Sequence, residues 1–312
     1  MNMNIEFIKE VGIVGAGLMG HGIALQCAIS GYPVKLVDTS DMKLQSAIQN
    51  IKTTIKLLNK MHKTEDLDED QILNRISVGT DINIFHDVDY LIEAVYEDLE
   101  LKRGLLQSIS ARVSDHTILA SNTSSFVPSQ FDFLMTKPDR VIVANWWNPP
   151  YLIPLVEVVP GPNTSKFSIE VTKEFLKKIN KKPVVLNKES LGFIGNRLQF
   201  ALLREAISLV EKGIASPEDI DEVVKSGFGR RLAIAGPFQV FDLAGWDTIS
   251  TIMEELFPVL ENTSEVSDIV KKKVMDGHLG VKASKGFYSW DKDVVTKFRE
   301  SIVQKLSDID KL

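Results

Sequence analysis

A single cysteine, Cys27, stands in 312 residues, so no intrachain disulfide can form and a reducing compartment is expected. No apolar run reaches the roughly 18 to 20 residues that cross a bilayer. Met1 to Glu10 also lacks the basic-then-apolar order of a signal peptide, so the expectation is a cytoplasmic protein with no membrane partner. An excess of positive charge is missing as well. Lysine and arginine number 36 against 42 aspartates and glutamates, a net charge of -6, which argues against non-specific attraction to nucleic acid. Histidines and cysteine nowhere cluster at ligand spacing, so no metal is expected, and Cys27 reads as a small packed side chain. Internal repeats and low-complexity tracts are absent too. What is present is ordinary for a folded protein: 44% hydrophobic and 25% charged residues, in a chain long enough for about two domains.

The first half alternates short β-branched runs with longer segments of helical period, the pattern of a doubly wound parallel sheet. This predicts a Rossmann-type α/β domain over residues 1–188 and an all-α domain over 189–312. Strands are expected at Val11 to Gly15, Val34 to Asp38, Ile76 to Thr80, Tyr90 to Ala94, Thr117 to Ser121, Arg140 to Asn145 and Val184 to Leu186, with a helix at Phe167 to Ile179. An insertion at about 41–75 carries an apolar stripe of Leu44, Ile48, Ile51, Ile55 and Leu58 opposite a basic one of Lys52, Lys56 and Lys60. It reads as a helical hairpin leaning out from the sheet, its lysines either a solvated face or a contact for phosphates.

The sharpest motif is Gly15-Ala16-Gly17-Leu18-Met19-Gly20, directly after an apolar strand and opening a helix. Glycines permit a tight turn and close backbone approach, while the helix N-terminus offers N–H donors to a pyrophosphate. Asp38 ends the second strand, where a carboxylate can bond the adenosine ribose hydroxyls, and no arginine follows to accept a 2′-phosphate. NAD is therefore the expected cofactor, held by Gly15, Gly17, Leu18, Met19, Gly20 and Asp38.

Ala120-Ser121-Asn122-Thr123-Ser124-Ser125 ends the fifth strand, in the crevice where open α/β sheets bind ligands. With this segment the chain resembles the 3-hydroxyacyl-CoA dehydrogenase family along nearly its whole length. The likeness lies in Gly15 to Gly20, Asp38, Glu93 to Lys102, Asn122 to Ser125, Asn148-Pro149, Leu155 to Val158, Gly192 to Arg197 and Gly286-Phe287-Tyr288. Pro149 to Glu157 is most similar to the branch acting on free 3-hydroxy acids such as gulonate and carnitine, the Gly-Phe-Tyr ending to the hydroxybutyryl-CoA enzymes. The resemblance implies an NAD-dependent oxidoreductase of fatty acid metabolism, interconverting a 3-hydroxyacyl and a 3-oxoacyl group on CoA or on a small free acid. It also implies a homodimer built through the C-terminal helices.

Residue roles follow from the same resemblance. Ser124 matches the serine that bonds the substrate oxygen, Glu157 the carboxylate that orients a catalytic histidine, and Asn196 an amide of the substrate site. Asn148 matches the asparagine of a His-x-x-Asn-Pro segment. Glu97, Lys102 and Asn122 match positions near the cofactor. Arg231 lies where the free-acid relatives carry an arginine, whose planar fork suits a carboxylate; a surface role is the competing reading.

One position departs from this pattern. Asn145 stands at the head of Asn145-Trp146-Trp147-Asn148-Pro149, where the family has its histidine. An amide can donate a hydrogen bond to an alkoxide but cannot take its proton, and loss of acid–base catalysis costs about 10²- to 10⁴-fold in rate. An engineered inactivation, another proton carrier or a loss of dehydrogenation would each account for it. Glu157 is the nearest substitute base, with a pKa raised by burial without a partner. His21, His62, His86, His116 and His278 read as surface histidines. A catalytically silent, crystallin-like NAD-binding protein and an imine reductase are the alternatives.

Overall fold

The computed structural model describes residues 8–60 and 67–309. His62 and the turn of the 41–75 insertion lie outside the described residues. Two compact units divide the chain, residues 1–196 and 197–312.

The first unit is built on one eight-stranded sheet: β1 (Val11–Val14), β2 (Val34–Val37), β3 (Ile76–Gly79), β4 (Tyr90–Glu93), β5 (Ile118–Ser121), β6 (Val141–Trp146), β7 (Leu155–Pro160) and β8 (Lys182–Val185). Its order is β3-β2-β1-β4-β5-β6-β7-β8, parallel throughout except between β6 and β7. All four residues of β1, β4 and β5 are buried, as expected for central parallel strands covered on both faces. Helices α1 (Leu18–Ile29), α2 (Asp41–Lys60), α3 (Glu69–Leu73), α4 (Leu99–Ser110) and α5 (Lys166–Lys178) complete the layers. The doubly wound fold expected from the sequence is thus present.

Two details differ from expectation. Strand β7 is additional to the strands expected: Val156, Val158 and Val159 give it a β-branched run between Pro154 and Pro160. The turn closed by Leu152 N–H to the Pro149 carbonyl reverses the chain, so β7 pairs antiparallel to β6 and places Glu157 directly opposite Asn145. The insertion does not lean out as a whole either: α2 packs on α1 and buries Leu44, Ala47, Ile51, Ile55 and Leu58, leaving Ile48 half-buried.

The second unit is helical: most of α6 (Gly195–Glu211), then α7 (Pro217–Ser226), α8 (Phe228–Leu232), α9 (Pro237–Ala244), α10 (Trp246–Leu256), α11 (Asp268–Met275) and α12 (Lys292–Ile309). Ile249 and Val303 are its only buried hydrophobic side chains among the described residues.

Candidate active site

A cavity of about 1260 Å³ opens along the carboxyl ends of five adjacent parallel strands. In spatial order it is lined by Asp38 after β2, Gly15 to Met19 after β1, Val95 to Glu97 after β4, Asn122 to Ser124 after β5, and Asn145 to Asn148 at the end of β6; Asn196 lines it too. Four strand spacings of about 4.8 Å separate Asp38 from Asn145, so the strand ends span roughly 19 Å. The strand order reverses between β1 and β4, the usual ligand position of such a sheet.

Gly15 turns the chain into α1 at φ 99°, where a Cβ would lie 2.5 Å from the Ala94 carbonyl oxygen. Gly20 sits so close behind it that a Cβ would fall 1.7 Å from the Gly15 oxygen. Gly20 thus packs the helix onto the loop instead of bordering the cavity. No side chain caps α1, and its first turn holds no acidic residue, so its N–H donors remain available to an anion.

Asp38 accepts hydrogen bonds from Ala16 N–H at 2.8 Å and Thr39 N–H at 2.6 Å. Burial opposes its ionisation, but these bonds and Lys43 Nζ at 3.1 Å prevail and hold the carboxyl below its ordinary range. Lys43, on the first turns of α2, was not singled out by the sequence; its signal is a cation five residues beyond the strand-end aspartate.

Lys102 does not border the cavity. It is fully buried, with Nζ 2.7 Å from Glu93 and 3.3 Å from Glu97. Glu93 also accepts from the Ser121 hydroxyl, its partner in the β4–β5 register, and from Val95 N–H. Neither Glu93 nor Ser121 was assigned a role from the sequence, although each is a polar residue closing an apolar strand. Glu97 does border the cavity, and accepts from the Thr123 hydroxyl and from the N–H groups of Ser124 and Ser125. Burial works against its charge, yet Thr123, Lys102 and these donors lower its pKa. Lys102 therefore reaches the site only through Glu97. The Asn122 side-chain oxygen accepts from Trp146 N–H at 3.0 Å, tying β5 to β6.

Behind Asn145 lies Glu157, 1% exposed. Its Oε2 accepts from Asn145 Nδ2 at 3.0 Å and Trp147 Nε1 at 3.3 Å, and its Oε1 from the N–H groups of Ile194 and Gly195, each at 2.9 Å. Gly192 and Phe193, at φ 75° and 51°, form the bend that aims those two N–H groups. The Phe193 backbone is strained there by about 1 to 3 kcal/mol, and burial of its ring helps hold it. Four donors occupy the carboxylate and it does not border the cavity, so Glu157 is not free to act as the substitute base expected from the sequence. A carboxylate only accepts, so Asn145 must turn its NH₂ toward it, leaving Oδ1 as the amide's acceptor at the cavity.

Ser124 and Asn148 are exposed and Asn196 is half-buried at the cavity wall. Trp147 also lines it and packs its ring against Gly195. Arg231 is exposed on α8, in the second unit. His86 and His116 are largely surface groups, 70% and 45% exposed, paired with Asp87 and Asp89. His21 is not a surface histidine: it is 8% exposed and lines the cavity.

Comparison with known proteins decides the family. The family model described as 3-hydroxyacyl-CoA dehydrogenase, NAD binding domain, matches residues 10–190, and that of the C-terminal domain of the same enzyme matches residues 192–290. The chain belongs to the 3-hydroxyacyl-CoA dehydrogenase family. It is 36% identical over 295 residues to the mitochondrial hydroxyacyl-coenzyme A dehydrogenase of Rattus norvegicus, covering 91% of each chain. It is 29% identical over 306 residues, 96% of each chain, to the 5-formyl-3-hydroxy-2-methylpyridine 4-carboxylate 5-dehydrogenase of Mesorhizobium japonicum. A crystal structure of an enzyme of that name, described as an NAD+-dependent dismutase, superimposes with a TM-score of 0.90 at 28% identity, over 97% of this chain and 98% of the other.

As a member of the 3-hydroxyacyl-CoA dehydrogenase family the chain is an NAD-dependent oxidoreductase, and the silent and imine-reducing alternatives are not favoured. The cradle fits the cofactor: an uncapped helix N-terminus for the pyrophosphate, a glycine turn with no room for a Cβ, and an ionised Asp38 for the ribose. No helix among the described residues is long and apolar enough to cross a membrane.

Proposed function

We propose that this oxidoreductase interconverts a 3-hydroxyacyl and a 3-oxoacyl group, carried on CoA or as a small free 3-hydroxy acid. The observation that carries this reading is the single cavity joining Asp38 and the phosphate loop to Ser124, Asn145, Asn148 and Asn196. Bound NAD supplies the hydride acceptor of the alcohol and, reduced, the hydride donor of the ketone. Gly15, Gly17, Leu18, Met19, Asp38 and Asn122 form the cofactor side, and Gly20 supports the loop from behind. Glu97, kept charged by Lys102, lies toward the nicotinamide. The Ser124 hydroxyl donates to the substrate oxygen, Asn148 and Asn196 supply amides around it, and Asn145, oriented by Glu157, presents Oδ1 as an acceptor for the substrate hydroxyl. Arg231 recognises the carboxylate of a free acid.

The working form is a homodimer associating through the helical unit of residues 197–312. Among its described residues Phe200, Phe238, Leu243, Trp246 and Phe257 stand 46–89% exposed, while two hydrophobic side chains, Ile249 and Val303, are buried. So small a core cannot offset the conformational entropy of ordering that many residues, which a second copy would remedy. The reading places the protein in the cytoplasm and in fatty acid metabolism.

The test is NADH oxidation against a panel of 3-oxoacyl-CoA thioesters, free 3-oxo acids and a formyl-substituted aromatic carboxylate. Turnover confined to thioesters or to free acids names the branch, and Arg231→Ala should then raise KM for free acids alone. Tight NADH binding with no turnover of any compound would return the protein to the silent reading.

A further inference from the structure

Any alcohol oxidised at this cavity must lose its hydroxyl proton, and position 145 cannot receive it. Glu157 has four donors on its two oxygens and stands behind Asn145. The other carboxylates at the cavity, Asp38 and Glu97, are held ionised by surrounding N–H and hydroxyl donors, which makes them weak bases. Lys43 is paired with Asp38. Among the described histidines, His21 alone lines the cavity.

His21 borders the cavity with one ring nitrogen engaged by the backbone. It lies on the first turn of α1, one residue before Gly22, and a Cβ on Gly22 would lie 2.6 Å from Pro150 Cγ and 3.4 Å from the Tyr151 ring. The helix turn bearing His21 therefore backs directly onto the loop that follows Asn148. Its Nδ1 is 2.7 Å from the Gly17 carbonyl oxygen. A carbonyl only accepts, so the proton of the neutral ring sits on Nδ1 and the lone pair on Nε2. Burial favours that neutral form and lowers the pKa, against the opposing pull of the Gly17 bond.

We propose that His21 is the proton carrier of this site, taking the role that an imidazole at position 145 would have. The proposal rests on the oxidoreductase reading above. In oxidation, the hydroxyl proton passes to Nε2 while the C–H bond breaks and its hydrogen leaves with both electrons as hydride to the oxidised nicotinamide. The carbonyl forms, and the imidazolium keeps its Nδ1–H on Gly17 before releasing the Nε2 proton to water. In reduction the same imidazolium returns the proton as the hydride arrives.

His21→Ala and the bulkier, still hydrogen-bonding His21→Gln should both lower kcat by about 10²- to 10⁴-fold. NADH affinity, read by fluorescence titration, should stay as it was. In the His21→Gln background, Asn145→His should restore at least about 10²-fold, because a second imidazole then stands before Glu157. In the unaltered protein, carbethoxylation of His21 by diethyl pyrocarbonate, followed by mass spectrometry, should slow when the 3-oxo substrate fills the cavity. Turnover that survives His21→Gln, or falls only as NADH affinity falls, overturns the proposal alone. An unaltered protein that turns over no 3-oxo compound overturns the oxidoreductase reading and this proposal together.

Discussion

Glu157 shows how much one buried side chain organises. Its carboxylate joins β6, through Asn145 and Trp147, to the backbone bend that opens α6, and all four of its partners are donors. Glu157→Gln replaces an acceptor by an NH₂ that must face at least one of those donors. The variant should lose about 1 to 3 kcal/mol of stability, the cost of leaving a buried polar group unsatisfied. Urea denaturation reads the loss, and an unchanged midpoint would mean the four bonds contribute nothing net. Asp38 carries a second consequence at this scale, because its ion pair with Lys43 sits where an adenosine ribose would lie. Asp38→Ala removes the carboxylate that repels a 2′-phosphate and frees Lys43 to meet one. Affinity for NADPH relative to NADH should rise roughly tenfold, since a like-charge contact costs about 1 kcal/mol in water and more when partly buried. Equal titration curves before and after the change would remove Asp38 from cofactor selection.

The β1–α1 unit works because its helix and loop nearly touch. With the Gly20 Cα so near the Gly15 carbonyl, Gly20→Ala forces the loop, the helix or both to move, and the N–H donors at the α1 N-terminus lose their common aim. NADH binding should fall below detection by fluorescence titration while the circular dichroism of the sheet and helices persists. Retained affinity would show that the loop can shift without harm. The β6–β7 hairpin has a comparable economy. Antiparallel register sets Asn145 opposite Glu157, so twelve residues of sequence separation become one cross-strand contact.

At the scale of the molecule, the two units differ in how far each is complete. The first encloses Phe85, Tyr90, Phe131, Phe175 and Phe193 as fully buried side chains, whereas the second exposes most of its large hydrophobic residues. Sedimentation at micromolar concentration should therefore give the mass of two chains. A monomer that stays soluble there would overturn the dimer, since so many large apolar side chains are rarely left open to water.

The sequence by itself determined the alternating β/α architecture, the phosphate loop, the NAD preference suggested by Asp38, and the family. Each rests on local pattern: apolar period, glycines at a strand–helix junction, and ordered motifs. Only the tertiary structure decided which polar groups face the cavity. Lys102 and Glu157 carry the same charges in sequence as in space, but burial and the donors gathered from distant segments turn them into supports behind Glu97 and Asn145. Lys43 and His21 gave little signal because one lies in a lysine-bearing helix and the other beside a stronger motif. Their importance depends on what packs against them: Asp38 at the end of β2, and the Pro150–Tyr151 loop that β6 brings back to α1. Charge and hydrogen-bonding capacity belong to the residue, whereas pKa, orientation and access to a ligand are set by neighbours that the chain assembles only when folded.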